Sequence, residues 1–262
     1  MVNKHRGGRT IKAAETVFDI IETLQVEGPM QVTELADNVG KAPSTVHGHL
    51  TTLLQREYVV RQDGKYKLGL KFTKLGREIR FDLDVVSTAE PTLTALAEDT
   101  GEEAWLTIEE NGASVPVMNK TVDRSVESVG MIGSYTDIHN SGAGKSVLAF
   151  LPEDQILDII EKKGLPKSTE HTITDHEKLL AELAEIRENG YAVSDEERYE
   201  GVRSVFSPII VGERVYGSIG VAGPANRLRD SLYQEEIPER VMEASNEIEL
   251  RLRYPKFNQG ES

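Results

Sequence analysis

The segment that most limits the fold is VTELADNVGKAPSTVHGHLTTLLQREYVVRQDGKYKLG, residues 32–69. Leu35, Ala36 and Val39 share one helical face, with Thr33 predicted as the N-cap and Gly40 closing the helix. Only a short KAP link precedes a second periodic stretch, in which Val46, Leu50, Leu53 and Leu54 fall on one side. That stretch runs straight into two β-rich segments around Asp63-Gly64, a pair suited to a tight hairpin turn. An earlier helix is predicted over 11–27, with Ala14, Val17, Phe18, Ile21 and Leu24 inward and Gly28-Pro29 as its end. Helix, helix, short turn, helix and hairpin make a winged helix-turn-helix. A small helical core built for another purpose would not require the hairpin directly after the third helix.

The inward set fixes the outward one. At about 100° per residue, Ser44, Gly48, Thr52 and Gln55 face away from the core, flanked by Thr45 and His47. Ser44 and Thr45 sit at the helix start, suited to phosphate and base-edge contacts, and His47 can donate to a base. Gly48 offers no side chain and costs the helix roughly 1 kcal/mol relative to alanine. Either the helix sits closer to the groove there, or reading passes to His47, His49 and Thr51. Thr33 at the start of the second helix, Lys65 and Lys67 on the wing, and Arg6 and Arg9 on the polar N-terminal arm complete the candidate DNA-binding set.

Charge separates this part from the rest. Residues 1–80 hold 13 Lys+Arg and 9 Asp+Glu, whereas 81–262 hold 17 and 35. The first part can approach nucleic acid and the second repels it, so two domains with different partners are expected. The net charge of −14 also suits a salt-rich cytoplasm, where carboxylates keep a protein hydrated. In molar salt the Debye length is about 3 Å, so groove fit and dimer symmetry would carry more of the DNA affinity.

Residues 71–84 read as an amphipathic connecting helix with Phe72, Leu75, Ile79 and Leu83 on one stripe. Another helix follows and stops at Gly101. The pattern then turns to β, with a hairpin around Asn111-Gly112 and a further strand over VESVGMIG. Helices are expected at GAGKS, at PEDQILDIIEKKG and over 175–189, strands between 191 and 224, and a last helix over 230–253. The fold class is α+β, with helices packed on a largely antiparallel sheet. The expected division is a winged helix-turn-helix over 1–70, a linker helix over 71–85, and an effector-binding and oligomerisation domain over 86–255.

The string GAGKS (142–146) resembles the end of a nucleotide loop, but G-x-x-x-x-G-K-[ST] needs a glycine at the position held by His139. No acidic magnesium partner stands at a strand end, so ATPase chemistry is excluded. Ser141 remains a good N-cap, and the small residues Gly142, Ala143 and Gly144 would let an anion approach the free backbone N–H groups. The alternative is that these glycines only permit tight helix–strand packing. The chain has no cysteine, which removes disulfides, thiolate metal sites and a thiol nucleophile. His139, His171 and His176 lack ligand spacing, and no Ser/His/Asp set can be argued, so no metal, cofactor or enzymatic activity is expected. Nothing reads as a signal peptide or a membrane span, and a cytoplasmic protein is expected.

Four linked stretches resemble the IclR family of transcriptional regulators: residues 32–69, SGAGKSVLAF, GYAVSDEERYEGVRSV and GSIGVAGP, in that order. The likeness covers nearly the whole chain after the arm, and the arm and acidity look most like haloarchaeal members. It implies a winged helix-turn-helix joined by a helix to a GAF/PAS-like effector domain, and dimers or dimers of dimers on a palindromic operator. Effectors in the family are mostly small organic, sugar-derived or aromatic acids. Carried over by position, Ser141, Gly142 and Ala143 would meet the effector. Asp195 would join them, with the acidic residue open among Asp195, Glu196 and Glu197, and Ser204 follows. Gly220 and Ala222 stand where members binding small hydroxy- or oxo-acids often have serines, which leaves room for a bulkier or more apolar ligand. Trp105 and Met131 either line the apolar side or belong to the core. The family commonly has a long basic side chain where this chain has Gly48. The expected function is a ligand-responsive regulator of a catabolic operon; the alternative is a constitutive DNA-binding protein whose C-terminal domain only oligomerises.

Overall fold

The computed structural model describes residues 9–122 and 131–254. The chain divides into two compact units, Met1–Arg80 and Phe81–Ser262.

The first unit opens with α1 (Lys12–Glu27), α2 (Val32–Asn38) and α3 (Pro43–Gln55). Strands β1 (Val59–Gln62) and β2 (Lys65–Leu68) follow, and α4 (Lys71–Phe81) comes last. Asp63 and Gly64 both adopt positive φ, 52° and 80°, as a primed two-residue turn requires. Ile20, Leu24, Leu35, Val46, Leu50, Leu53, Val59 and Tyr66 form the core. On α3 the inward face is the expected one, although Leu54 is only half-buried.

Three local expectations need correction. On α1 the buried line is Thr16, Ile20 and Leu24, while Ala14 is exposed and Phe18 stays 60% exposed. Thr16 is accommodated because its hydroxyl donates to the Lys12 carbonyl, 3.0 Å away. Thr33 is not the cap of α2. Gln31 holds that place, and its backbone N–H donates to Glu34 in a capping box, so Thr33 lies exposed inside the first turn. The connecting helix ends at Phe81, not 84, and Leu83 caps the next helix. The hairpin also gains a partner that periodicity did not reveal: Met30 and Tyr66 exchange backbone hydrogen bonds of 3.0 and 2.7 Å.

The second unit is an α+β domain. Its elements are α5 (Asp84–Thr100), β3 (Glu103–Glu110), β4 (Ala113–Lys120), β5 (Thr136–Asp137), α6 (Gly142–Leu148), α7 (Glu153–Lys163) and α8 (His176–Asn189). Then come β6 (Ala192–Asp195), β7 (Val202–Val211), β8 (Arg214–Pro224) and α9 (Ile237–Arg253). The chain is helical from 230 to 253 as expected, with a π-helical turn over Leu232–Glu236 leading into α9. The strand expected at VESVGMIG falls largely outside the described residues. The strands pair antiparallel throughout, in the order β5-β4-β3-β8-β7-β6.

Alternation along the strands sends neighbouring side chains to opposite faces. Leu106, Val205, Ile219 and Val221 meet Leu93 of α5 and Val241 and Ile248 of α9 on one face. Trp105 and Phe206, one residue out of phase, meet Ala143 of α6 on the other. Beyond it, Leu148 joins Ile156, Ile160, Leu179 and Leu183 in a second cluster.

Candidate functional site

Helix α3 presents Ser44, Thr45, His47, Gly48, Thr51 and Thr52 on its exposed side, so the proposed reading residues share one accessible surface. Two hydroxyls are partly committed: Thr51 donates to the His47 carbonyl at 2.9 Å and Thr52 to that of Gly48 at 3.3 Å. His49 is half-buried and less available than His47. On the hairpin Lys65 is exposed, whereas Lys67 donates to Gln62 Oε1 at 2.6 Å. Arg9 is exposed, and Arg6 lies outside the described residues. Lys41, exposed in the turn leading to α3, is a cation the helical face could not reveal.

A Cβ built on Gly48 meets nothing within 4 Å. Gly48→Ala is therefore expected to stabilise the first unit by about 1 kcal/mol. Chemical denaturation of the full chain reads this directly, and a loss of stability would show that the backbone at Gly48 is under a constraint the fold does not display.

In the second unit the sheet face carrying Trp105 does not close completely against α6. A cavity of about 290 Å³ remains. Its walls follow the strand period: Trp105 and Thr107 from β3, Ser114 and Pro116 from β4, Ser204 and Phe206 from β7, with Ser194 and Ala222. Ser141 and Ala143 close it from the start of α6, and Met131, Arg198 and Tyr199 contribute from the loops. Of the residues singled out from sequence, Trp105, Met131, Ser141, Ala143, Ser204 and Ala222 line the cavity.

Gly142, Asp195 and Gly220 do not, each for a physical reason. Asp195 follows Ser194 on a strand, so when Ser194 points in, Asp195 points out, where it takes a two-pronged ion pair from Arg203 at 2.7 and 3.1 Å. The two neighbouring acids are also engaged elsewhere. Glu196 accepts from the Gly201 N–H at 2.6 Å, and Glu197 pairs with Lys145. Gly220 opens no space for ligand: a Cβ there would lie 2.1 Å from the Val205 carbonyl oxygen and 2.5 Å from the Phe206 ring. The ring of Phe206 occupies the room that a larger residue at 220 would take. Gly142 lies against Ser204 and the Ala192 carbonyl, and Gly144 against Ile138, so these glycines let α6 press onto its neighbours.

Ser141 caps α6 by accepting from the Gly144 N–H at 3.1 Å. Every residue of this short helix is buried, Lys145 included at 0% exposure. The Lys145 ammonium donates to Glu182 of α8 and to Glu197. Burial pushes the Glu197 carboxyl up from its ordinary value, against the pull of Lys145, and its Oε2 has no hydrogen-bond partner among the described residues. His139 is buried beside the Pro166 carbonyl, 3.2 Å away, while His171 and His176 are exposed.

Residues 13–63 match the IclR helix-turn-helix domain. Residues 81–250, well over half of the chain, match the bacterial transcriptional regulator IclR C-terminal family. The chain belongs to the IclR family of transcriptional regulators. Among IclR relatives, a probable HTH-type transcriptional regulator ArcR from Halobacterium salinarum is 31% identical, over 93% of this chain and 95% of its own length. The crystal structure of the Thermotoga maritima IclR matches with a TM-score of 0.77 and 28% identity, over 93% of this chain and 98% of that one. An IclR homolog from Microbacterium hydrocarbonoxydans, crystallised with 4-hydroxybenzoate, shares the fold with a TM-score of 0.79 and 21% identity, over 92% of this chain and 99% of that one. No described helix is long and apolar enough to cross a membrane.

Proposed function

We propose that this IclR-family regulator controls a catabolic operon by binding a small acid in the cavity beneath α6. Residues 1–70 serve as the DNA-binding head, 71–85 as the linking segment and 86–255 as the effector-binding and oligomerising body. The observation that carries this reading is the joint presence of an exposed α3 face and a half-open, mainly apolar cavity with convergent hydroxyls, each within its own unit. Trp105 and Phe206 favour a ligand with a flat apolar body over a bare oxo-acid. The exposed stripe of α4, with Leu75 at 36% and Ile79 at 65% exposure, favours a homodimer or a dimer of dimers, and with it a palindromic operator. The effector acts by its differential affinity for two arrangements of the heads.

Operator fragments recovered by genome-wide footprinting supply the test. Ser44→Ala combined with Thr45→Ala is expected to weaken operator binding by roughly tenfold or more, with unfolding unchanged. Unaltered affinity would remove these residues from the reading set. A cavity-filling Ala222→Leu variant is expected to keep operator affinity while losing the response to effector.

A further inference from the structure

Arg198 is a cation that the cavity lining places within reach of a ligand, and no described carboxylate takes up its charge. The residue lines the cavity wall, and its guanidinium donates to Thr136 Oγ1 at 2.9 Å and stacks over Tyr199 at 5.1 Å. Among the described residues no carboxylate forms an ion pair with it, although the neighbouring Arg203 and Arg227 each have one. Guanidinium has five donors in a planar fork, and the bond to Thr136 leaves most of that fork available. Thr136 and Tyr199 hold its plane, so little rotamer freedom is left to lose on binding.

We infer that Arg198 is the residue that selects a carboxylate, taking the acid group of a ligand whose ring or chain lies between Trp105 and Phe206. This rests on the effector-binding reading of the cavity and deepens it by assigning the anion contact to a side chain rather than to the start of α6. The cap of α6 agrees, since the Gly144 N–H is already held by Ser141. Glu103, which also lines the cavity, would repel a second carboxylate and favours a hydroxyl or amino group at the far end of the ligand. A mono-acid with a polar group remote from the carboxylate is the chemical class that fits.

The test uses the full chain with benzoate, 4-hydroxybenzoate and gluconate, each set against its neutral amide, in calorimetric titration and thermal shift. At least one acid is expected to bind the natural protein, its amide being weaker by roughly 10- to 100-fold. Arg198→Gln is expected to remove that preference, and Arg198→Lys to recover only part of it, because an ammonium is not a planar fork. Operator affinity should be the same for all three proteins, with unliganded melting lowered only by the lost Thr136 contact. Acid binding that is equal in the natural protein and in Arg198→Gln, and lost in Ala222→Leu, would overturn the role of Arg198 and leave the cavity as the effector site. Tighter binding of the amides would also overturn it. No binding by any of the six compounds would count against both.

Discussion

Replacing Lys145 by methionine is expected to destabilise the full chain by about 3–5 kcal/mol, because the variant leaves carboxylates that were paired with a buried ammonium. For a body of this size that is a fall of roughly 10 °C in the melting transition. Lys145 is fully buried, and Oε2 of Glu197, its more deeply buried partner, has no hydrogen-bond partner among the described residues. The loss should depend on pH. Burial already raises the Glu197 pKa above 4.5, and removing Lys145 removes the main opposing influence. A carboxyl with a raised folded pKa contributes stability below its unfolded pKa and loses it as pH rises through the folded value. The deficit of Lys145→Met should therefore be small at acid pH, where Glu197 carries its proton in the folded and the unfolded chain alike, and grow towards neutrality. Adding Glu197→Gln to the same chain should recover part of the stability at neutral pH. A deficit that is flat with pH, and untouched by Glu197→Gln, would show that the lost packing of the lysine stem matters more than its charge.

Gly144→Ala is the second large effect expected. A Cβ at this position would stand 2.0 Å from the Ile138 carbonyl oxygen and 2.7 Å from its carbon. Both are backbone atoms that cannot rotate aside, so α6 must shift and its cap with Ser141 must distort. A cost of about 3 kcal/mol or more is expected, at the upper end of overpacking penalties. Gly142→Ala should be milder, since its closest contact is Ser204 Oγ at 2.9 Å and a hydroxyl can change rotamer. The series separates two readings of GAGKS. If the glycines serve to let an anion approach the helix, both substitutions should impair acid binding at nearly unchanged stability. If they serve packing, stability falls in the order of the contacts, Gly144→Ala below Gly142→Ala, while Gly48→Ala on the open face of α3 moves the other way.

The legible parts of this protein are those that local chemistry fixes. Asp63-Gly64 and Asn111-Gly112 turn their hairpins because positive φ at both positions is a property of those two residues and the chain around them. Val46, Leu50 and Leu53 bury on α3 because helical periodicity and apolarity coincide there without competition. The first helix misled because Thr16 can hide its hydroxyl against its own backbone, so a polar residue joined the buried line and Phe18 did not. Thr33 misled for a related reason: Gln31 and Glu34 cap each other reciprocally and leave no donor for Thr33 to satisfy.

The cavity was legible in outline and not in detail. The stretches that build it were recognisable, and Ser141, Ala143 and Ser204 do line it. Which acid in SDEERYEG pointed inward was not, because strand parity is set only when β6 takes its register on β7, pairing Ser194 with Ser204 and Asp195 with Arg203. Nor could sequence show that Phe206 covers Gly220, that Lys145 is buried between two carboxylates, or that Arg198 faces the cavity. Thus the residue order by itself determined the helix-turn-helix, the hairpins and the α+β class, since these follow from periodicity and backbone preference over a few residues. Only the tertiary structure decided which side chains share the cavity, because that depends on contacts between segments 30 to more than 100 residues apart, such as Trp105 with Phe206 and Lys145 with Glu182.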